Sequence, residues 1–135
     1  KKIYVSRKNA KVRKIENETD VINLLQDNGY EILYAEELSF KQQIEIFSQY
    51  TDLISIHGAA LTNCLFMPEG SNVIELYREP QANLPEMNYC YQRQTAALGL
   101  NHHYIFCKTG ENLGTHIDKI NLNVNLQQLQ EAILK

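Results

Sequence analysis

The stretch that decides the fold of this chain runs Asp52-Leu53-Ile54-Ser55-Ile56-His57-Gly58-Ala59-Ala60-Leu61-Thr62-Asn63. A short apolar run ends in a histidine and a glycine, and small residues then begin what the pattern predicts as a helix. Proteins with parallel sheets build phosphate sites from such a turn, because glycine lets a ligand approach the backbone and first-turn N–H groups favour an anion. Ligands bind at the carboxyl edge of such sheets. The stretch therefore predicts a site for a phosphorylated ligand, above all a nucleotide.

Length and composition are those of one soluble globular domain. The chain has 135 residues, and its 44% hydrophobic and 21% charged content is ordinary for that class. The net charge of -3 argues against general nucleic-acid binding, for which a basic domain is typical. No apolar run approaches the ~20 residues of a membrane span. The three cysteines lack zinc-ligand spacing, and we expect free thiols in a reducing compartment.

Strands alternate with helices along the whole chain. The predicted strands cover residues 3–6, 30–34, 52–56, 73–76 and 103–107. Cap and stop residues delimit the predicted helices: Asn17 to Asn28-Gly29, Ser39 with Gln42 as a capping box, residues 59–66, Pro85 to Gly99, and Asn125 onward. The alternation predicts an α/β fold, a Rossmann-like three-layer domain in which a parallel sheet of about five strands is covered on both faces. Residues 1–135 would form this single domain.

Residues that end the first and third predicted strands are candidates for the phosphate site. His57 could give a hydrogen bond or a positive charge to a phosphate, or it could be a capping histidine satisfied by nearby backbone. Arg7 could hold phosphate oxygens with two parallel bonds, and the Ser6 hydroxyl could add a third. The lysines of the loop after Ser6 are expected to be solvated, and Arg13 is intermediate between the two roles.

Three more polar residues are candidates at the same edge. Thr62 and Asn63 could reach a phosphate or a sugar hydroxyl, or could bond back to the helix backbone. Glu75 lies in an apolar strand, where a carboxylate is costly to bury without partners, and ribose hydroxyls are frequent partners in nucleotide-binding sheets. An ion pair with Arg78 or a helix cap is the alternative for Glu75. The histidines at 102 and 103 point to opposite faces of a strand, so we do not expect them to share a ligand.

Five segments of the chain occur in an order that resembles a known enzyme family. They are residues 5–18 (VSRKNAKVRKIENE), 37–40 (ELSF), 57–63 (HGAALTN), 66–68 (FMP) and 73–76 (VIEL). This order resembles the carboxyl-terminal part of the glycosyltransferase family 61 proteins. That family takes in bacterial capsular-polysaccharide biosynthesis proteins, plant xylosyl- and arabinosyltransferases, and animal O-linked N-acetylglucosaminyltransferases.

The resemblance implies a GT-B architecture, in which two Rossmann-like halves face each other, and an inverting transfer from a UDP-sugar. This chain would be the donor-binding half, and no catalytic base is assigned within it. Carried onto this sequence, the resemblance assigns contacts with the diphosphate to Ser6, Arg7 and the turn His57-Gly58-Ala59. Glu75 would hold the ribose, and the 37–40 loop, with Leu38, would border the uracil. Arg13 and Asn63 belong to the family pattern without an assigned role.

The same resemblance implies partners beyond this chain. The UDP-sugar is the donor substrate, no metal cofactor is expected, and a missing amino-terminal domain would bind a glycan or protein acceptor. The chain begins at Lys1 without methionine, and we expect it to be part of a longer protein. We expect a cytoplasmic location, with peripheral membrane association of the longer protein, or the secretory lumen in a eukaryote, as alternatives. The alternative function is a non-catalytic α/β regulatory module that docks through Tyr89, Tyr91 and the final helix.

Overall fold

A six-stranded sheet forms the centre of the computed structural model, which describes residues 1–34, 38–80, 87–112 and 120–134. The strands are β1 (Lys2–Ser6), β2 (Tyr30–Tyr34), β3 (Asp52–Ile56), β4 (Asn72–Arg78), β5 (Asn101–Asn112) and β6 (Ile120–Asn123). Their order in the sheet is β2-β1-β3-β4-β5-β6. The first five strands pair in parallel, and β6 pairs antiparallel with β5 at the edge. The α/β fold class predicted from the sequence is confirmed.

Helices cover both faces of the sheet, and a hydrophobic core lies under each layer. The helices are α1 (Glu18–Asp27), α2 (Phe40–Phe47), a 3₁₀ helix (Ala59–Phe66), α3 (Cys90–Leu98) and α4 (Leu126–Ile133). One core packs α1 and α4 against one face of the sheet. The other core packs α2, the 3₁₀ helix and α3 against the opposite face. Within the described residues, none of these helices is both long and apolar enough to cross a membrane.

Local signals placed several helix ends correctly. Ser39 and Gln42 form the predicted capping box at the start of α2, each side chain bonding the backbone N–H of the other. Asn125 caps α4 by accepting a hydrogen bond from the backbone N–H of Gln128. Gly99 ends α3 with a φ of 72°, a left-handed conformation that glycine adopts without strain. These ends depend on contacts within a few residues, which is why the sequence reveals them.

Three expectations differ from the structure. The last predicted strand, residues 103–107, continues as β5 to Asn112 and pairs with the unpredicted β6. The helix expected from Pro85 begins at Cys90, and Pro85 itself lies outside the described residues. Asn17 makes no side-chain cap on α1, because its amide donates to the Val124 carbonyl at 2.8 Å and accepts from the Val124 N–H at 3.0 Å.

Candidate active site

Two loops meet at the carboxyl edge of the sheet. Strand β1 ends at Ser6 and β3 ends at Ile56, and the two strands are parallel neighbours. The basic loop that begins at Arg7 therefore lies beside the His57-Gly58 turn. The strand order of the sheet thus brings the two main sequence candidates to one place.

Two arginine side chains converge on Gly58. A methyl group at Gly58 would lie 3.3 Å from Nη1 of Arg13 and 3.7 Å from Nη1 of Arg7. The Arg13 Nη1 atom donates a 2.8 Å hydrogen bond to the His57 carbonyl, and the Arg7 Nε atom donates to the Arg13 carbonyl at 3.2 Å. Gly58 is extended, with a φ of 162°, so its role is to leave room beside the guanidinium groups.

The backbone of Arg13 is held in an unusual conformation. Its φ is 57°, and among the described residues no other non-glycine residue has a positive φ. This conformation costs a non-glycine residue of order 1–3 kcal/mol and persists only where the surroundings enforce it. The hydrogen bonds that join Arg13 to Arg7 and to His57 provide these surroundings. The strain therefore makes the basic loop a candidate functional region.

A helix begins directly behind the two arginines. The 3₁₀ helix starts at Ala59, and its N-terminal cap residue, Gly58, has no side chain with which to bond the first N–H groups. Unpaired N–H groups of a first helical turn favour negative charge. The arginines, the glycine and this helix start together form a positively polarised region at the end of β3.

His57 sits in an aromatic setting at the same turn. Its ring lies edge-on to Tyr77, with 4.6 Å between ring centroids, and to Tyr91, with 5.1 Å. Its Nδ1 atom is 2.5 Å from Oε2 of Glu75. The backbone N–H of His57 donates to the Leu76 carbonyl, so His57 still belongs to the sheet while its ring faces the site. The alternative of a histidine that caps nearby backbone is not what the structure shows.

Glu75 lies beneath His57 and is fully buried. Its Oε2 atom meets His57, and its Oε1 atom is 2.9 Å from Nε2 of His102. Burial by itself raises the pKa of Glu75, but the hydrogen bonds from His102 and His57 outweigh it and leave the pKa lowered from 4.5. The carboxylate is therefore ionised and paired. The ribose contact predicted for Glu75 would require one of its two hydrogen bonds with histidine to break. The carboxylate oxygens of Glu75 bond these histidines and form neither of the alternatives, an ion pair with Arg78 or a helix cap.

The remaining predicted site residues have mainly structural contacts. The Ser6 hydroxyl, which is buried, donates to Oε1 of Glu18 at 2.8 Å and accepts from the Lys8 N–H at 3.0 Å. Asn63 is also buried and donates to the Ala60 carbonyl at 3.1 Å, the helix bond that was the alternative to ligand contact. Thr62 is exposed beside the site, and its backbone carbonyl accepts a hydrogen bond from Nε2 of Gln94 at 3.2 Å.

Two predicted positions flank the site. Ala59 is exposed at the start of the 3₁₀ helix, where its backbone N–H belongs to the first turn. Leu38 is half-buried just ahead of α2, and its carbonyl accepts from Gln43 at 3.4 Å. Glu37, from the same expected uracil-bordering loop, lies outside the described residues.

Sequence reasoning missed the residues that support His57. His102 was set aside as half of a histidine pair, and Tyr77 was not considered. Tyr91 was assigned to a docking face, whereas it is half-buried against the His57 ring. Strand register could have revealed His102, because Val73 pairs with His102 and Glu75 pairs with Tyr104 in β4 and β5. Alternate residues share a face, so the histidine and the carboxylate lie on the same side of adjacent strands.

Comparison with known proteins identifies the family to which this chain belongs. A family model described as Glycosyltransferase 61 matches residues 1–74, which include both loops of the site up to the start of β4. The chain belongs to the glycosyltransferase 61 family.

Several curated proteins are similar to part of this family member. Protein O-linked-mannose beta-1,4-N-acetylglucosaminyltransferase 2 of Takifugu rubripes is 37% identical over 86 residues, which are 62% of this chain and 14% of that protein. EGF domain-specific O-linked N-acetylglucosamine transferase of Bos taurus is 31% identical over 81 residues, which are 56% of this chain and 15% of that protein. The Drosophila melanogaster protein of the same name is 36% identical over 77 residues. The chain therefore spans about a seventh of the length of the relatives it matches.

Proposed function

We propose that this chain is the nucleotide-sugar-binding part of a glycosyltransferase whose donor is a UDP-sugar. The convergence of Arg7 and Arg13 on Gly58, at the start of a helix, is the observation that carries the proposal. A diphosphate placed against Gly58 would meet two guanidinium groups and the first-turn N–H groups together. Guanidinium groups match phosphate oxygens in charge and in planar geometry. Membership of the glycosyltransferase 61 family supports a nucleotide sugar as the source of that diphosphate.

The proposed reaction is an inverting transfer. The acceptor oxygen forms a bond to the anomeric carbon of the sugar while the bond from that carbon to the diphosphate oxygen breaks. The electron pair of the broken bond leaves with the diphosphate, and the proton of the acceptor hydroxyl passes to a general base. The base and the acceptor-binding half of a GT-B architecture would belong to parts of the longer protein. This chain contributes stabilisation of the charge that develops on the leaving group.

We also propose that the transfer proceeds without a divalent metal. The leaving diphosphate would be balanced by the arginine side chains and by the positive end of the 3₁₀ helix. The acceptor is proposed to be a protein-linked or free glycan, or a protein hydroxyl. The names of the relatives make UDP-N-acetylglucosamine the first donor to test.

Calorimetric titration of the 135-residue chain with UDP tests the proposal. We expect binding at neutral pH that is stronger for UDP than for UMP, since the second phosphate adds charge at the arginines. Arg7→Ala and Arg13→Ala should each weaken UDP binding about tenfold or more, the loss expected for a hydrogen bond to a charged group. Lys8→Ala is the matched control, because Lys8 is an exposed cation of the same loop. A folded chain that binds no nucleoside diphosphate would contradict the proposal, as would equal losses in all three variants.

A further inference from the structure

A continuous hydrogen-bonded chain runs from helix α3 to His57 across one face of the sheet. The Thr95 hydroxyl on α3 lies 3.0 Å from Nδ1 of His102 on β5. The opposite ring nitrogen of His102 lies 2.9 Å from Oε1 of Glu75 on β4, and Oε2 of Glu75 lies 2.5 Å from His57 at the end of β3. Thr95 and Glu75 are fully buried, so water does not compete for these bonds.

The contacts of His102 hold its ring between Thr95 and Glu75. The Glu75 carboxylate only accepts, so Nε2 of His102 carries the proton of that hydrogen bond. Nδ1 of His102 shares a hydrogen bond with the Thr95 hydroxyl, which also meets the Gln92 carbonyl at 2.9 Å. His102 therefore fixes the position of Oε1 of the buried carboxylate.

The second oxygen of Glu75 faces His57. Glu75 accepts from Nδ1–H of His57, and Nε2 is then the ring nitrogen that can meet a ligand. The aromatic rings of Tyr77 and Tyr91 lie edge-on to His57, and Arg13 is bonded to the His57 carbonyl. Without His102, Oε1 of Glu75 would lose its donor, and the carboxylate would no longer be fixed opposite Nδ1 of His57.

We propose that His102 is a positioning residue, which acts through Glu75 to hold His57 as the Nδ1–H tautomer with Nε2 turned to the ligand. The presence of a ligand at Nε2 rests on the function proposed above, whereas the tautomer of His57 does not. The hydrogen bonds of His102 are made with Thr95 and Glu75, so its effect on binding would pass through Glu75 to His57.

Nitrogen NMR of the 15N-histidine-labelled chain tests the tautomer directly. At neutral pH we expect the His57 ring to show a proton on Nδ1 and none on Nε2, and the His102 ring to show a proton on Nε2. His102→Gln should change the His57 nitrogen shifts. His103→Gln is the matched control, because His103 is the exposed neighbour on the same strand and should leave them unchanged. Unchanged His57 shifts in a folded His102→Gln variant would overturn the proposal.

Thr95→Val provides a second test with nearly unchanged volume. Removing the hydroxyl that bonds Nδ1 of His102 should change the nitrogen shifts of both His102 and His57, and unchanged shifts of both rings in a folded variant would also overturn the proposal. UDP titration then separates the two ideas. If wild type binds UDP, His102→Gln should weaken it about tenfold and alter its pH profile, whereas His103→Gln should not. If wild type binds no UDP but the NMR result holds, the proposed function fails and the positioning role of His102 stands.

Discussion

Glu75→Gln should destabilise the chain strongly at neutral pH. The amide keeps the shape of the side chain but removes the charge that accepts from His57 and His102, and it turns an NH₂ donor toward one of them. Each hydrogen bond to a charged group contributes about 1.5–3 kcal/mol, and removing one partner of a buried charge pair costs about 3–5 kcal/mol. We therefore expect the free energy of unfolding to fall by about 3–5 kcal/mol at pH 7. That is a large part of the ~5–15 kcal/mol of a typical domain.

The difference should depend on pH in a defined direction. Because the folded-state pKa of Glu75 is lowered from 4.5, its stabilising effect is complete above pH 4.5 and is lost as the pH falls through the folded-state value. The protonated glutamic acid then resembles glutamine. The two chains should accordingly converge in stability at the acid end of the range.

Urea denaturation followed by far-UV circular dichroism measures the effect, since the chain contains no tryptophan for fluorescence. Glu45→Gln is the matched control, because Glu45 is an exposed carboxylate on α2 and its loss should change stability by less than about 0.5 kcal/mol. The reasoning is refuted if Glu75→Gln costs less than about 1 kcal/mol at pH 7 while folded. It is equally refuted if the gap between wild type and variant stays constant down to pH 3.

Further predictions address the ligand site, the contact between Asn17 and Val124, the thiols, and whether UDP binding requires a metal. Gly58→Ala should weaken UDP binding measured by calorimetry, because the new methyl would crowd the guanidinium groups of Arg13 and Arg7, although the extended backbone at this position tolerates alanine. Asn17→Ala should lower the free energy of unfolding by about 2 kcal/mol in urea titrations, since it leaves the buried Val124 N–H and carbonyl without their partner. A thiol reagent should label Cys90 alone in the folded chain, because Cys64 and Cys107 are buried and burial raises the pKa of Cys107 to about 12. All three thiols should react after denaturation, and rapid labelling of all three in the native state would contradict this prediction. Excess EDTA should not reduce UDP affinity, and a loss restored by Mg²⁺ would disprove metal-independent binding.

Residue types and spacing predicted the elements whose causes are local. Alternating strands and helices indicated a parallel sheet, and the Ser39 box and Gly99 stop marked helix ends correctly. The His57-Gly58 turn was recognised because glycine and small residues after a short apolar run have few other uses. Each of these signals depends on neighbours within about one turn of helix or one strand.

Pairings between distant segments were decided by the tertiary structure. The pairing of β6 with β5 and the bonds between Asn17 and Val124 join segments far apart in sequence, and no local pattern encodes such partners. The positive φ of Arg13 likewise results from its bonds to Arg7 and His57.

Which polar residues act together was also a tertiary result. The sequence showed a carboxylate at 75 and histidines at 57 and 102, but their contact depends on the register of three adjacent strands and on the burial of the carboxylate. A buried charge takes the partners that packing brings within hydrogen-bonding distance, and here those are two histidines instead of Arg78. The amino-acid sequence by itself therefore determined the turn at which we propose a phosphate site, because a glycine turn before a helix is a local feature. Only the folded sheet decided what lies beneath that site, because the cost of burying a charge is offset by residues from other strands.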